Sequence, residues 1–350
     1  MEKNFSWKIV TENSAAPGVD FSVNTNALGL PRTVRQMADW ADAAGRYPDP
    51  DCRALRRSLA EKYGIDPSRI LCGNGADDLL YRLVLALQPR RALVIEPTFE
   101  EYSRALSLVD CEVKHHLLKE ETAFAPDETI LSAIGSDCDM VFFCNPNNPT
   151  GQLVNSQLLL RILQRCREEE VLLVVDESFM EFLPDWQNHT MKKVAATDDD
   201  LIVIDAFTKT YALAGFRLGF CVSGNEELLH RMRRCGQEYG VSVPAQLAGL
   251  CALAEDAYLK QTHRQLPTER EWMRLQLQTL PMKVYPSRGN FLLCKTPQPD
   301  IVERLARQGV RVRDCSHFYG LDSHYCRIAV RTREENLQLL EAFRFVLENQ

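Results

Sequence analysis

The chain has 350 residues, 45% of them hydrophobic and 25% charged, a composition typical of a soluble globular protein with room for more than one domain. Its formal net charge of -7 argues against a nucleic acid partner, and its N-terminus, MEKNFSWKIV, lacks the long apolar segment of a signal peptide or membrane helix. The twelve cysteines are scattered without a CxxC pair, which predicts reduced thiols, no metal site and a cytoplasmic location.

Short apolar runs alternate with longer helical patterns through the middle of the chain. The runs that predict buried strands are RALVIEP (91–97), DMVFFCNP (139–146), VLLVVDE (171–177), LIVIDAF (201–207) and RLGFCVS (217–223). Amphipathic stretches such as SQLLLRILQRCREEE (156–170) predict the helices between them. This alternation predicts an α/β domain with a mainly parallel sheet, in which ligands bind beyond the carboxyl ends of the strands.

The pattern changes after about residue 236, which indicates a second, smaller α+β domain. Its predicted strands are FLLCKT (291–296), GVRVRD (309–314) and YCRIAVR (325–331), followed by a C-terminal helix over 333–348. We therefore expect an N-terminal arm (1–40) that joins the small domain, a large domain (41–235) and a small domain (236–350).

The first candidate site is the glycine-rich turn CGNGADD (72–78), where a predicted strand gives way to a helix. Free backbone amides at a helix N-terminus bind anions, so Gly75, Ala76 and Asp77 could hold a phosphate. The turn is neither a Walker loop nor a full dinucleotide fingerprint, and on its own such a turn is common.

Two more strand ends carry polar residues. The segment NPNNPTG (145–151) forms a tight turn, for which turn chemistry alone is a sufficient explanation. In VVDES (174–178), Asp176 ends a wholly apolar strand, so its carboxylate either caps a helix or binds a cation.

The fourth strand end, DAFTKTYALAGFRLGF (205–220), contains Lys209 and Arg217. A buried unpaired ammonium is costly, so Lys209 either extends to the surface or has a chemical role. Together the four strand ends supply a phosphate site, an amine, a buried carboxylate and an arginine, which is the set that pyridoxal 5'-phosphate requires. Lys209 would attach to the cofactor's aldehyde, Asp176 would pair with its ring nitrogen, and Arg217 with the amides near Ala76 would hold its phosphate.

The order of these motifs resembles the class I/II aminotransferases of pyridoxal-phosphate fold type I over nearly the whole chain. The matching patterns are G-N-G-x-D, N-P-x-N-P-T-G, D-E-x-[FY] and [ST]-K-x-[FY]-x-[LM]-x-G-x-R-x-G. The resemblance implies that Asn148 bonds the ring hydroxyl of the cofactor and that Tyr102 stacks on its ring. It also implies that Tyr47 reaches the cofactor phosphate of a neighbouring subunit, and hence a homodimer with shared sites.

Within this family the sequence is most similar to the histidinol-phosphate aminotransferase branch and, inside it, to the threonine-phosphate decarboxylases of cobalamin biosynthesis. The similarity lies in Phe179, in FSVNTNALGLP (21–31) and in RDCSHFYGLDSHYCRIAVR (313–331). It implies a small phosphorylated amino acid as substrate. One of Arg313 and Arg327 would bind its phosphate and the other its carboxylate, and the resemblance does not say which. The substrate-binding residues that the resemblance implies are Asn26, Leu28, Gly29, Arg313, Arg327 and Arg331.

Three departures from the family pattern affect these expectations. Ala206 stands where the family has a phosphate-binding serine or threonine. Either Thr208 makes that contact, or the cofactor phosphate is bound with one hydrogen bond fewer, a loss of about 1 kcal/mol. Ala27 replaces a proline of the arm, and the decarboxylase's H-G-G segment is absent before DFSVN (20–24).

Three functions remain open on the sequence. Decarboxylation and transamination use the same residues and differ in which bond at the substrate's α-carbon is aligned for cleavage. A cofactor-binding protein without catalytic activity is the alternative from a different class.

Overall fold

The computed structural model describes residues 18–37 and 40–348, so most of the predicted arm and the expectation about a signal peptide at residues 1–10 lie outside the described residues. The strands are β1 (Val19–Asp20), β2 (Ile70–Gly73), β3 (Arg91–Glu96), β4 (Glu112–Leu117), β5 (Met140–Cys144), β6 (Leu172–Asp176), β7 (Leu201–Ala206), β8 (Gly219–Val222), β9 (Lys283–Val284), β10 (Phe291–Lys295), β11 (Val310–Arg311), β12 (Arg313–Asp314) and β13 (Tyr325–Ala329). The helices are α1 (Arg32–Arg35), α2 (Trp40–Ala43), α3 (Arg53–Tyr63), α4 (Ala76–Leu87), α5 (Glu101–Ser107), α6 (Thr129–Ala133), α7 (Ser156–Glu168), α8 (Lys192–Ala195), α9 (Phe207–Thr210), α10 (Glu226–Arg234), α11 (Val243–Leu253), α12 (Asp256–Leu277), α13 (Ile301–Arg307) and α14 (Arg333–Glu348). Short 3₁₀ turns lie at Pro67–Arg69, Glu120–Thr122, Met180–Phe182, Trp186–Asn188 and Ala214–Phe216.

A seven-stranded sheet forms the centre of the molecule, in the order β2-β8-β7-β6-β5-β3-β4. Its strands run parallel except β8, which is antiparallel to both of its neighbours, β2 and β7. The prediction of an α/β fold with a mainly parallel sheet is confirmed, and the five apolar runs between residues 91 and 223 all contribute strands to this sheet.

Both faces of the large sheet are covered, which explains why its strands are continuous apolar runs. Along β5, Met140, Phe142 and Cys144 pack into one hydrophobic core. The alternate residues Val141 and Phe143 pack into the other core, on the opposite face. Side chains of a strand alternate between faces, so burial on both sides requires apolar residues at every position.

The edge strand β4 is the one strand of this sheet that the sequence does not predict. Its residues, EVKHHL, are only partly buried or exposed, and it pairs with β3 alone. An edge strand needs no continuous apolar run, and charged residues on it discourage pairing with other chains.

A smaller antiparallel sheet has the order β12-β13-β10-β9. The predicted single strand GVRVRD is divided between two sheets, because β11 pairs in parallel with β1 of the arm and β12 pairs with β13. The pairing of Val19 with Val310 ties the described part of the arm to this C-terminal region. The domain boundaries near residues 40 and 235 stay a prediction.

The polar strand ends lie along a single edge of the large sheet. The carboxyl ends of β2, β5, β6 and β7 share that edge, and because β8 runs in the opposite direction, its amino end at Gly219 lies there too. Residues 145–151, 176–178, 206–210 and the turn after Gly73 are thereby brought to one place. Among the helices that the structure describes, none is both long and apolar enough to span a membrane.

Candidate active site

A cavity of about 260 Å³ opens at this edge of the large sheet, where β12, β13 and part of the arm approach it. The residues predicted for the site that line this cavity are Asn148, Asp176, Lys209, Arg313 and Arg327. The other residues that line it are Ser22, Asn24, Phe99, Glu100, Cys144, Phe179 and Phe318.

Lys209 lies in the single-turn helix α9, which begins directly after β7 ends at Ala206. Thr208 is buried beside it, and the arm holds the turn because the backbone N–H of Asn26 donates to the Lys209 carbonyl at 3.0 Å. In the described part of the chain, the Lys209 Nζ makes no hydrogen bond or ion pair. Burial and, second, the charge of Arg327 lower the pKa of Lys209 to about 8. The neutral, nucleophilic amine is therefore accessible near neutral pH.

Asp176 is the last residue of β6, and its carboxylate is buried at the floor of the cavity. Its Oδ2 accepts a hydrogen bond from the Tyr102 hydroxyl at 2.8 Å, and its Oδ1 accepts from the backbone N–H and the hydroxyl of Ser178 at 2.9 and 2.6 Å. Burial raises the pKa of Asp176 above its ordinary value. No cationic group among the described residues forms an ion pair with this carboxylate, so a positively charged ligand group would stabilise its ionised form.

The predicted role of Tyr102 differs from its place in the structure. Tyr102 is 2% exposed, lies outside the cavity, and stacks on Phe142 with 5.4 Å between ring centroids. Phe99 lines the cavity instead, and its ring meets that of Tyr102 edge to face. Phe99 therefore presents its ring to the cavity while Tyr102 donates to Asp176, and the stacking of Tyr102 on a ligand ring stays a prediction. Both belong to the segment TFEEY (98–102), but helix α5 begins between them and turns Tyr102 inward.

The glycine-rich turn lies between β2 and α4 and packs against Arg217. Gly75 caps α4 with a φ of 92°, a conformation that favours glycine. A Cβ at this position would lie 2.8 Å from Nη2 of Arg217, so the guanidinium lies directly over the turn. Nη2 of Arg217 also donates to Oδ2 of Asp77 at 3.1 Å. The first amides of α4, including those of Ala76 and Asp77, have no partner within the helix, and together with the guanidinium they suit an anion.

Two arginines stand side by side at the other wall of the cavity, because Arg313 on β12 pairs directly with Arg327 on β13. Arg327 is buried, donates from Nη1 to Oδ1 of Asn148, and donates from Nη2 to the Ser22 carbonyl at 2.7 Å. Burial lowers the pKa of Arg327 to about 10. Arg313 is more exposed and donates to Oε1 of Glu100 at 2.6 Å. In the described residues no carboxylate forms an ion pair with Arg327.

In the arm segment FSVNTNALGLP, the cavity is lined by Ser22 and Asn24, which sequence reasoning missed. Asn24 is 1% exposed, and neither polar atom of its side chain has a partner among the described residues. The predicted residue Asn26 is occupied elsewhere, since its Nδ2 donates to the Thr210 carbonyl at 2.9 Å and to Oγ1 of Thr262 at 2.8 Å. A buried amide without a partner indicates a ligand contact, whereas Asn26 positions the lysine turn. The S-x-N alternation of an extended chain was the signal for Ser22 and Asn24.

Three further predicted substrate contacts lie away from the Lys209 cavity. The chain turns at Asn26, whose carbonyl accepts from the Gly29 N–H at 3.0 Å, and this turn directs Leu28 into a separate cavity of about 430 Å³. The Gly29 carbonyl accepts from the Tyr258 hydroxyl. Arg331 lines the same separate cavity and pairs with Glu335 at 2.7 Å. That Leu28, Gly29 and Arg331 contact the substrate stays a prediction, since none of the three lines the Lys209 cavity.

Tyr47 also lies outside the cavity of its own chain. It is 82% exposed, and its ring lies 4.7 Å from that of Tyr239. The predicted contact is with a second subunit, so it stays a prediction.

The residues of the site fit pyridoxal 5'-phosphate. Within the described ranges, Lys209 provides an amine of lowered pKa without a partner, and Asp176 provides a buried carboxylate without a cation. The α4 amides with Arg217 form an anion site, and Asn148 and Phe99 offer an amide and an aromatic face. Ala206, at the end of β7, contributes no hydroxyl, so the contact from Thr208 stays a prediction.

Comparisons with known proteins agree with this arrangement. The family model described as aminotransferase class I and II matches residues 16–343. The chain is 38% identical over 335 residues to the threonine-phosphate decarboxylase of Salmonella typhimurium, covering 94% of this chain and 91% of that protein. Its structure is similar to those of the histidinol-phosphate aminotransferase from Clostridium acetobutylicum (TM-score 0.88, 27% identity, 95% of this chain and 100% of that chain) and of L-threonine-O-3-phosphate decarboxylase from Porphyromonas gingivalis (TM-score 0.83, 25% identity, 94% and 99%).

Proposed function

The chain belongs to the aminotransferase class I and II family, and on this premise we propose that it is a pyridoxal-phosphate enzyme that decarboxylates L-threonine O-3-phosphate. The observation that carries the choice of substrate is the direct pairing of Arg313 with Arg327 in the cavity that also contains Lys209. An amino acid that bears both a carboxylate and a phosphate presents two anions to these two guanidinium groups at once.

We assign the cofactor to the residues that converge at the edge of the large sheet. Its phosphate would be held by Gly75, Ala76, Asp77, Thr208 and Arg217, its ring nitrogen by Asp176, its ring hydroxyl by Asn148 and its ring face by Phe99. When bound, the cofactor supplies an electron sink for the bond that breaks at the substrate's α-carbon. Lys209, at the same edge of the sheet, would hold the cofactor covalently.

The chain's own residues then orient the substrate and move its protons. Arg327 is the buried arginine whose charge acts on Lys209, so it would bind the carboxylate attached to the reacting carbon. Arg313, which is more exposed than Arg327, would bind the phosphate. When the carbon–carbon bond breaks and carbon dioxide leaves, Nζ of Lys209 would return a proton to the α-carbon.

Histidinol-phosphate transamination is the second candidate function, supported by the structural similarity to the Clostridium acetobutylicum enzyme. Histidinol phosphate carries a phosphate but no carboxylate, so it would use one of the two arginines. The first candidate uses both arginines in the same step, which is why we prefer it.

Two further assignments belong to the proposal. A cytoplasmic homodimer with shared sites and a place in cobalamin biosynthesis both rest on the resemblance to the threonine-phosphate decarboxylases. The exposed Tyr47, outside its own cavity, supports the shared site.

A substrate panel that follows carbon dioxide and amino transfer together tests the proposed reaction. We expect threonine phosphate to release carbon dioxide without any keto acid. Keto-acid-dependent turnover of histidinol phosphate without carbon dioxide would establish the second function. Retention of the cofactor with no turnover of any amine would establish a non-catalytic binding protein.

Borohydride reduction followed by peptide mapping tests the attachment site. We expect the cofactor label on Lys209 in the wild-type protein and no label in Lys209→Ala. The exposed Lys193 should remain unlabelled in both proteins, and Lys193→Ala provides the control variant. A label on any other lysine would contradict the assignment of Lys209.

A further inference from the structure

A partly exposed ion pair lines the cavity that contains Lys209. Nη2 of Arg313 lies 2.6 Å from Oε1 of Glu100, and both residues line the cavity that contains Lys209. The two side chains keep 38% and 42% of their surface exposed, so either of them can turn toward solvent. Glu100 precedes α5, and its carboxylate makes no capping bond to that helix.

The two arginines of the cavity differ in their counter-ions. Arg327 has no carboxylate partner among the described residues, whereas Arg313 is paired with Glu100. Like charges that lie directly opposite each other on paired strands destabilise a sheet, so a counter-ion on one of them is favourable in the absence of substrate. A bound phosphate would supply the same negative charge to Arg313 and remove the need for Glu100.

A second contact also orients Arg313. The guanidinium carbon of Arg313 also lies 5.7 Å from the centroid of the Phe318 ring, which lines the same cavity. This cation–π contact orients the arginine independently of the carboxylate. Loss of Glu100 would therefore free the guanidinium without displacing it.

We propose that Glu100 is an exchangeable counter-ion that competes with the phosphate of substrate and product for Arg313. This inference rests on the proposed function insofar as Arg313 binds a phosphate. An exposed ion pair is weak, so a phosphate that forms two charge-assisted hydrogen bonds displaces it readily. When product leaves, the carboxylate returns to Arg313, and the competition sets how tightly both phosphorylated molecules are held.

Glu100→Gln tests the competition, with Glu101→Gln as the matched control. Glu101 is the next residue and accepts from Arg104 and Tyr81 outside the cavity. We expect Glu100→Gln to lower the Kd of inorganic phosphate for the holoenzyme by about two- to fivefold, the range of an exposed ion pair, and to lower the KM for threonine phosphate by the same factor. Titration calorimetry and steady-state kinetics measure the two effects, and Glu101→Gln should show neither.

The same substitution in an Arg313→Gln background locates the effect, because without the arginine Glu100→Gln should no longer alter phosphate affinity. Weaker or unchanged phosphate binding in Glu100→Gln would overturn the proposal, since it would mean that Glu100 orients Arg313 or does not touch the site. The phosphate titration is independent of turnover. If the wild-type enzyme releases no carbon dioxide from threonine phosphate, the proposed function fails while the titration still decides the role of Glu100.

Discussion

Asn24 and Asn26 lie two positions apart, but their side chains make different contacts. The side-chain amide of Asn26 donates to the Thr210 carbonyl and to Oγ1 of Thr262. These bonds connect the arm to the lysine turn and to α12. Asn24 is also buried but has no partner for its amide among the described residues, and it lines the cavity. Removing a hydrogen bond costs the most free energy when it leaves the other partner buried and unpaired. Truncation of the two asparagines should therefore have different effects.

We expect Asn24→Ala to raise the KM for threonine phosphate about ten- to hundredfold with little loss of stability, because a hydrogen bond to a charged group contributes about 1.5–3 kcal/mol in the complex only. Asn26→Ala should instead destabilise the fold by about 1–3 kcal/mol, since two buried acceptors lose their donor. Chemical denaturation and steady-state kinetics measure both variants. The reverse pattern would place Asn26, and not Asn24, against the substrate.

The lowered pKa of Lys209 predicts how the apoenzyme captures its cofactor. The neutral amine is the reactive form, so the rate of attachment should rise with pH and level off above about 8. The Arg327 charge contributes to the lowered pKa, so Arg327→Met should raise the pKa and move the midpoint to higher pH. Arg307→Met, on the exposed face of α13, is the charge-matched control and should leave the midpoint unchanged.

The pH dependence of attachment is read by stopped-flow absorbance with apoenzyme, without substrate. An unchanged midpoint in Arg327→Met would show that burial alone lowers the pKa of Lys209. A shift in the Arg307→Met control would show that the effect is not local.

At the level of the elements, Glu120 joins the segment after β4 to three strands of the small sheet. Its Oε1 accepts from Lys283 of β9 at 3.0 Å and from the Tyr285 hydroxyl at 2.6 Å. Its Oε2 accepts from Lys295 of β10 at 2.9 Å and from the Tyr325 hydroxyl of β13 at 2.8 Å. These hydrogen bonds hold the pKa of Glu120 well below its ordinary value, and the bond from Lys295 has the largest effect. Strand β13 also carries Arg327, so this carboxylate helps fix the wall of the cavity.

We expect Glu120→Gln to lower the free energy of unfolding at pH 7 by about 2 kcal/mol, the contribution of a hydrogen bond to a charged group. The folded pKa of Glu120 is depressed below its ordinary value of 4.5, so its contribution is present above that pH and is lost as the pH falls below it. The wild-type protein should therefore lose stability in acid more steeply than Glu120→Gln. Urea denaturation between pH 3 and 7 measures this, with the exposed neighbour substituted in Glu121→Gln as control. Parallel pH profiles for the wild-type protein and Glu120→Gln would contradict the assignment.

For the whole molecule, the proposed shared active site predicts a behaviour that a monomeric enzyme would not show. If Tyr47 serves the partner's cofactor, Lys209→Ala and Tyr47→Ala are each impaired alone, but a mixed dimer contains one site with an intact lysine and an intact tyrosine. After the two variants are mixed and allowed to exchange subunits, we expect activity to recover to about one quarter of the wild-type value. Light scattering should give twice the monomer mass. No recovery from a verified mixed dimer would place Tyr47 in its own subunit's site or outside both.

The sequence predicted well the strands that a local apolar pattern marks. It did not predict the strand boundaries that depend on which distant strands pair with them. Five apolar runs became strands of the large sheet because burial on both faces requires them to be apolar throughout. Strand β4 escaped prediction because an edge strand has no such requirement, and GVRVRD was divided because its two ends pair with strands far apart in the chain.

The sequence by itself determined the chemistry at the ends of the strands. Lys209, Asp176, Asn148 and the turn at Gly75 lie at the carboxyl ends of their strands or within four residues of them, and a strand's carboxyl end has a definite place in a parallel sheet. Tertiary structure alone decided which side chains of the arm and of β12 and β13 enter the cavity. That choice selected Asn24 over Asn26, and Arg313 and Arg327 over Arg331. The physical reason is that a side chain in a turn or an extended arm is directed by its long-range hydrogen bonds, whose partners lie hundreds of residues away and leave no local pattern.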